Sequence, residues 1–262
     1  MNLQTVLQPK LYWLVSDTLA MTWRSLIRYV RLPQLLVFST IQPVLFLLLF
    51  VYVFGGAIQT PGNNYINFLV PGILVQIVIF GSVQTGVGLA EDLSKGMIDR
   101  FRSLPMARSA VLTGRTIADL VRNIFVMILM IVVALIIGFR PQGSFLDILA
   151  AMGIIALFGF AFSWISASIG LATRNSETAQ VAGFIWIFPL VFASSIFVPI
   201  DTMPDWLQAF ANISPITVTV NTVRALILDQ PLGDNLWQTF VWIFGILIDF
   251  FLLAVWRYKV LK

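Results

Sequence analysis

The chain contains no cysteine and no histidine. Without thiols there is no disulfide framework and no thiolate nucleophile, and without imidazole the usual zinc, haem and iron–sulfur ligand sets are missing. Metal and covalent catalysis are therefore not expected, nor any cofactor held by this chain. Charge is also scarce: 11% of the 262 residues are Asp, Glu, Lys or Arg against 59% hydrophobic, with a mean hydropathy of +0.92. A water-soluble globule needs more polar surface than that, so the chain belongs in a bilayer. No G-x-x-x-x-G-K-[ST] run occurs; "LTGRT" at 112–116 lacks both the lysine and the first glycine, which excludes a P-loop. Matching halves with glycine-interrupted helices, chains of deep acids and Ser/His/Asp sets are absent as well. With no internal repeat and no low-complexity linker, residues 1–262 read as one domain. The first thirty residues are polar and charged throughout, and no removable signal peptide is read in them.

What is present is long apolar runs. A helix crossing a hydrocarbon core of about 30 Å needs about 20 apolar residues in sequence. Six stretches qualify: 34–55, 67–89, 119–138, 146–170, 179–199 and 237–256. A pI of about 9.7 would suggest nucleic acid in a soluble protein, but here Lys and Arg report orientation, and no nucleic-acid partner is expected. With the N-terminus in the cytoplasm, Lys10, Arg24, Arg28, Arg31, Lys95, Arg100, Arg102, Arg108, Arg115, Arg122, Arg174, Arg257, Lys259 and Lys262 fall on or near the inner side. Only Arg140 and Arg224 fall outside, as the positive-inside bias requires. The expected architecture is an all-α polytopic membrane protein with six transmembrane helices and both termini cytoplasmic. Tyr52, Trp206, Trp237 and Trp256 near span ends suit interfacial anchors. Gly159, Ser163, Ser166 and Gly170 in "GFAFSWISASIGLA" let helices approach closely, with packing inside the chain expected ahead of a dimer seam.

Two cytoplasmic segments are amphipathic. Over 10–32, Asp17, Arg24, Arg28 and Arg31 recur at spacings of seven, four and three, opposite Tyr12, Val15, Leu19, Leu26 and Val30. Such a helix lies in the membrane interface rather than crossing it. Over 92–104, an apolar stripe of Leu93, Met97, Phe101 and Leu104, continuous with Ala90, faces away from Glu91, Asp92, Lys95, Asp99 and Arg102, and Pro105 ends it. That helix either presses into a groove on a cytosolic partner or is a solvated loop whose charges fix topology.

Between the last two spans, at 201–229, Thr202 with Pro204 and Ser214 with Pro215 resemble starts of two short apolar helices that re-enter from the outer side, and Pro189 and Pro199 break the preceding span. Asp249 is the one acid well inside a span; it reads as a carboxylate paired with an Arg such as Arg122, or as a site for a proton or cationic substrate.

These pieces together resemble the permease subunit of an ATP-binding-cassette type-2 exporter, in the branch named for daunorubicin and doxorubicin resistance. The resemblance covers essentially the whole chain and rests on "RLPQLLVFSTIQPVLFLLLFVYVFGGAI", "YINFLVPGILVQ", "EDLSKGMIDRFRSLPMARSAVLTGRTIADL" and "VPIDTMPDWLQAFANISPITVTVNTVRAL". It implies a bacterial inner-membrane subunit that exports hydrophobic or amphiphilic small molecules. It also implies two copies of a separate nucleotide-binding ATPase that binds the ATP and Mg, and pairing as a homodimer or with a sister permease. It makes the 92–104 segment a coupling helix, in which Leu93, Met97, Asp99, Arg100, Phe101, Arg102 and Leu104 dock on the ATPase, and it matches Pro215, Ile216 and Arg224 in the outer segment. Val218 departs from the polar or aromatic residue the family carries there. An exporter of lipid-linked glycans and an ion-coupled secondary transporter using Asp249 are the alternatives; substrate-path residues are not readable.

Overall fold

The computed structural model describes residues 10–31, 33–58, 60, 64–97 and 108–260, and every regular element among them is helical. In chain order these are α1 (Lys10–Arg31), α2 (Pro33–Leu49) running into a π-helical turn at Phe50–Phe54, α3 (Tyr65–Ser94), α4 (Arg108–Ile137) and α5 (Phe145–Thr173). They continue with α6 (Ser176–Phe192), a 3-10 turn at Ile200–Thr202, α7 (Asp205–Ile213), α8 (Pro215–Ile227) and α9 (Asn235–Val260). Four helices are long and apolar enough to cross a membrane, over Tyr65–Ser94, Ala110–Ile137, Phe145–Thr173 and Asn235–Tyr258. Two shorter apolar helices, Ser39–Phe54 and Ser176–Phe192, accompany them.

α3 is apolar on all sides and correspondingly central: from Tyr65 to Val83 nearly every side chain is buried. α5 runs parallel to it, with Val78 against Gly159 and Gly86 against Gly170. The small residues of α5 are thus spent on packing within the chain, as their spacing predicts. A Cβ on Gly170 would collide with the Gly86 backbone, whereas one on Gly153 meets nothing within 4 Å. Gly170→Val is expected to destabilise the chain by about 1–3 kcal/mol through overpacking, and Gly153→Ala to leave it unchanged or firmer. Thermal unfolding in mild detergent checks the pair; equal midpoints would mean that α3 and α5 separate at no cost.

Local signals set several boundaries. Ser144 and Asp147 form a reciprocal capping box at the start of α5, which accounts for the acid there. Asn175 caps α6 through the Thr178 amide at 3.0 Å. Pro215 occupies the first turn of α8 with Ser214 as its N-cap. α6 stops at Phe192, shortly after Pro189, so the fifth apolar run, expected to 199, ends in turns from Ala193 onward. α7 and α8 differ in burial: Trp206, Phe210 and Ile213 of α7 are exposed, while Ile216 to Ala225 of α8 are buried apart from Asn221. Tyr52, Trp206, Trp237 and Trp256 are all exposed, as interfacial anchors should be.

One expected element has a different start. Asp92, Leu93 and Ser94 are the last turn of α3, and Gly96, at φ +64, turns the chain out of it in the left-handed region that glycine adopts without strain. The 92–104 segment is therefore not one unbroken helix. Asp99, Arg100, Phe101, Arg102 and Leu104 lie outside the described residues, as does the side chain of Arg28.

Candidate functional site

At the end of the bundle that carries Lys95, Arg115 and Arg174, α1 crosses α4 at Gly114. A Cβ there would meet the α1 backbone at Thr18 O (2.9 Å) and Thr22 N (3.0 Å), so a side chain would push the helices apart. This close approach brings Tyr29 of α1 onto Asp119 of α4, to whose Oδ1 its hydroxyl donates. Thr85 of α3 donates to Asp119 Oδ2 at 2.5 Å. Arg122, one turn along α4, pairs with Asp119 Oδ1 at 3.6 Å and also donates to the Tyr29 hydroxyl oxygen (3.2 Å), the Gly81 carbonyl (2.7 Å) and Asn123 Oδ1 (3.0 Å). The Asp119 and Arg122 side chains are 1% and 4% exposed. One ion pair with its remaining valences occupied thus ties three helices, the condition under which a buried pair is tolerated. Burial pushes the Tyr29 hydroxyl up to about 12 and the Asp119 carboxylate adds to the rise, so it remains a donor at physiological pH.

The pair expected between Arg122 and Asp249 does not form. Arg122 is committed to Asp119, and Asp249 is exposed on α9 with no hydrogen-bond or ion-pair partner among the described residues. Asp119 lies near the start of its apolar run and carries little signal alone. The i, i+3, i+4 run Asp119, Arg122, Asn123 is what marks it, since those three share one helix face.

The same end holds the start of the expected docking segment. Arg115 lies over Gly88 and pairs with Asp92 at 3.4 Å, while Lys95 and Glu91 pair at 2.6 Å on the exposed side. Leu93 packs against the cluster of Met21, Leu89 and Leu112. Arg24 of α1 reaches Met97 Sδ at 3.3 Å, so α1 touches the segment directly. Asp17 is half-buried, and Arg31 is exposed on the same helix.

Two adjoining cavities of about 260 and 80 Å³ open beside this network, sharing Ser39, Gln42, Gln84, Arg122 and Phe184. The larger adds Tyr29, Arg115 and Gln180; the smaller adds Gln76, Phe80 and Asn123. Gln76 Oε1 is buried there without a hydrogen-bond partner among the described residues. From Phe80 a ladder of rings follows α6: Phe80 to Phe188 at 5.4 Å, Phe188 to Phe192 at 5.8 Å, Phe192 to Phe197 at 5.2 Å and Phe197 to Phe50 at 4.4 Å between centroids. Phe184 packs against both Phe80 (5.8 Å) and Phe188 (5.4 Å). No short sequence pattern marks this ladder, because its rungs come from α3, α6, the turn after α6 and the π-helical turn after α2.

At the opposite end, Arg224 of α8 is buried and sits over the Phe68 ring, with its Cζ 3.8 Å from the centroid. It donates to the Phe68 carbonyl (3.2 Å), Asn221 Oδ1 (2.9 Å) and the Ser195 carbonyl (2.8 Å), tying α8 to α3 and to the turn after α6. Burial, with no acid offsetting it, pushes the guanidinium down to about 9. Pro215 starts the same helix, and Val218, nearly fully buried, packs within it.

Comparison with known proteins identifies the family. The family model described as ABC-2 type transporter matches residues 16–228. The daunorubicin resistance ABC transporter permease protein DrrB1 of Streptomyces coeruleorubidus is 37% identical over 212 residues, 81% of this chain and 75% of that protein. The probable doxorubicin resistance ABC transporter permease protein DrrC of Mycobacterium tuberculosis is 23% identical over 235 residues, 89% of this chain and 85% of its own length. The putative transport permease ycf38 of Cyanophora paradoxa is 26% identical over 220 residues, 82% and 75% of the two chains. An all-helical bundle with long apolar helices, a buried charge network at its basic end and a match over most of its length is a membrane permease: the chain belongs to the ABC-2 type transporter family.

Proposed function

We propose that this permease exports amphiphilic, ring-bearing small molecules across a bacterial inner membrane, driven by two copies of a separate ATPase. In this reading α2 to α6 and α9 make six spans, both termini are cytoplasmic, and the basic end faces the cytosol, as its lysines and arginines favour. The observation that carries the cargo class is the phenylalanine ladder leading out of a cavity walled by amides and Arg122. An apolar ring system slides against the rings while its polar edge is held by Gln42, Gln76 and Asn123. Relatives named for daunorubicin and doxorubicin resistance support the same cargo. Phe188 and Phe192 of the ladder are themselves exposed, and a second permease subunit, identical or a sister chain, closes the path there.

Coupling starts at the 92–104 segment. ATP, bound with Mg by the partner chain, closes the ATPase pair. The contact through Leu93, Met97 and Phe101 differs between the open and closed pair, as any shift in equilibrium requires. Met97 passes the displacement to Arg24 on α1, and α1 passes it through Tyr29 to Asp119 and to Arg122, which lines the cavity. Phe188→Ala is expected to raise the KM for daunorubicin about 2–10-fold in vesicles carrying the chain and its ATPase, with basal ATP hydrolysis unchanged, since one aromatic contact contributes about 0.5–1.5 kcal/mol. An unchanged KM in Phe188→Ala and Phe184→Ala alike would remove the ladder from the path.

A further inference from the structure

The cavity at the end opposite the basic one, about 430 Å³ in volume, is not used by the pathway above. Its wall is an assembly of neutral amides, among them Asn64, Asn67, Asn221, Gln230 and Asn235, around a single cation, Arg224. An arginine has five N–H donors. Three of them reach the Phe68 carbonyl, Asn221 and the Ser195 carbonyl, all neutral acceptors, which leaves one N–H on each terminal nitrogen without a partner among the described residues. No carboxylate makes an ion pair with it among the described residues, although Asp201 lines the same cavity. Asp201 is exposed and screened by water, whereas Arg224 is only 8% exposed, so the field inside the cavity is set by the buried cation.

A buried guanidinium kept without a counter-charge is a group prepared for an incoming anion, and its planar donors match two oxygens of a phosphate. The surrounding amides offer both donors and acceptors, which suits hydroxyls next to that phosphate. Nearby, α7 exposes Trp206, Phe210 and Ile213, an apolar face of the kind that lies among lipid chains at a membrane surface. We infer that the cavity around Arg224 is a binding site for a phosphate group, taken either from the headgroup of a surrounding phospholipid or from a free phosphate in solution. Occupied, it joins α8, α3 and the turn after α6 through one anion and so stiffens this end of the bundle.

The test uses the full chain held in an amphipathic polymer free of phosphate, titrated calorimetrically with dihexanoyl phosphatidylglycerol and, separately, with inorganic phosphate. Saturable binding of the short-chain lipid alone identifies a headgroup site; binding of both, each displacing the other, identifies the phosphate itself. Arg224→Gln is expected to abolish binding. Because that change also removes three structural hydrogen bonds, Asn67→Asp serves as the second variant: at a half-buried position of the cavity wall it adds a negative charge, keeps an acceptor for the Arg140 amide and touches none of the Arg224 bonds, and it is expected to weaken binding about tenfold, the factor that about 1.4 kcal/mol of repulsion gives. No saturable binding of either probe, or binding that Asn67→Asp and Arg224→Gln both leave unchanged, overturns the proposal.

Discussion

Asp119→Ala is expected to destabilise the folded chain by about 3–5 kcal/mol, because it leaves the Arg122 guanidinium buried with no counter-charge. Asp119 is also the acceptor for Tyr29 and Thr85, so the substitution strands the buried Thr85 hydroxyl and the half-buried Tyr29 hydroxyl at the crossing of α1, α3 and α4. Each unsatisfied group costs about 1–3 kcal/mol where water cannot reach it. Removing both charges, as in Asp119→Leu with Arg122→Met, is expected to recover most of the loss, since apolar residues of similar volume often replace a buried pair at little cost. Urea unfolding in detergent, run as a double-mutant cycle, measures this directly. If the double substitution were as damaging as the sum of the singles, the pair would not be the element that ties the helices.

The second large effect concerns transport rather than stability. A charged residue in place of Phe101 or Leu104 is expected to abolish cargo-stimulated ATP hydrolysis by the partner while leaving the permease folded in the membrane. Both follow Met97 in the apolar stripe of the sequence, beyond the left-handed turn at Gly96. Met97 touches Arg24, and α1 leads from there to the Tyr29 and Asp119 contact, so a displaced stripe is separated from the cavity wall. The readout is ATPase stimulation by daunorubicin in vesicles with wild-type and Phe101→Asp permease. Unaltered stimulation would place the drive elsewhere on the cytoplasmic surface.

Much of the fold was legible because the physics behind it is local. Apolar run length marks α3, α4, α5 and α9, proline and serine mark the start of α8, and the four-residue spacing of Gly159, Ser163, Ser166 and Gly170 marks the face of α5 that packs on α3. Boundaries were harder. Apolar composition continues past the end of α6, and only Pro189 hints that the helix stops at Phe192. At the other side of the bundle, the helical stripe running from Ala90 to Leu104 hides the left-handed turn at Gly96, which separates Asp92 and Leu93 from the rest of the stripe.

The site was legible only where its residues are neighbours in sequence. Asp249 draws attention by its depth in an apolar run, yet it faces outward without a partner among the described residues, while Asp119, nearer a span end, holds the network. Depth along a helix is read from sequence; the direction a side chain faces depends on helices far away in the chain. The cavity of Gln42, Gln76 and Asn123 and the ring ladder are assembled across several helices, so no run of residues carries their signature. Arg224 was singled out by its place in a family pattern, but its isolation from acids became apparent only when α8 was seen buried against α3.

The proposed coupling depends on a separate ATPase engaging this chain through the 92–104 segment. The measurement that addresses it most directly is co-purification from mild detergent of the tagged full-length permease, wild-type and with Phe101→Asp and Leu104→Asp together, with identification of any bound P-loop ATPase. The expected result is an ATPase in stoichiometric amount with the wild-type chain and its loss from the variant, at equal recovery of permease. An ATPase bound equally to both would contradict docking at this segment, and none bound to either would contradict an ATP-driven permease altogether.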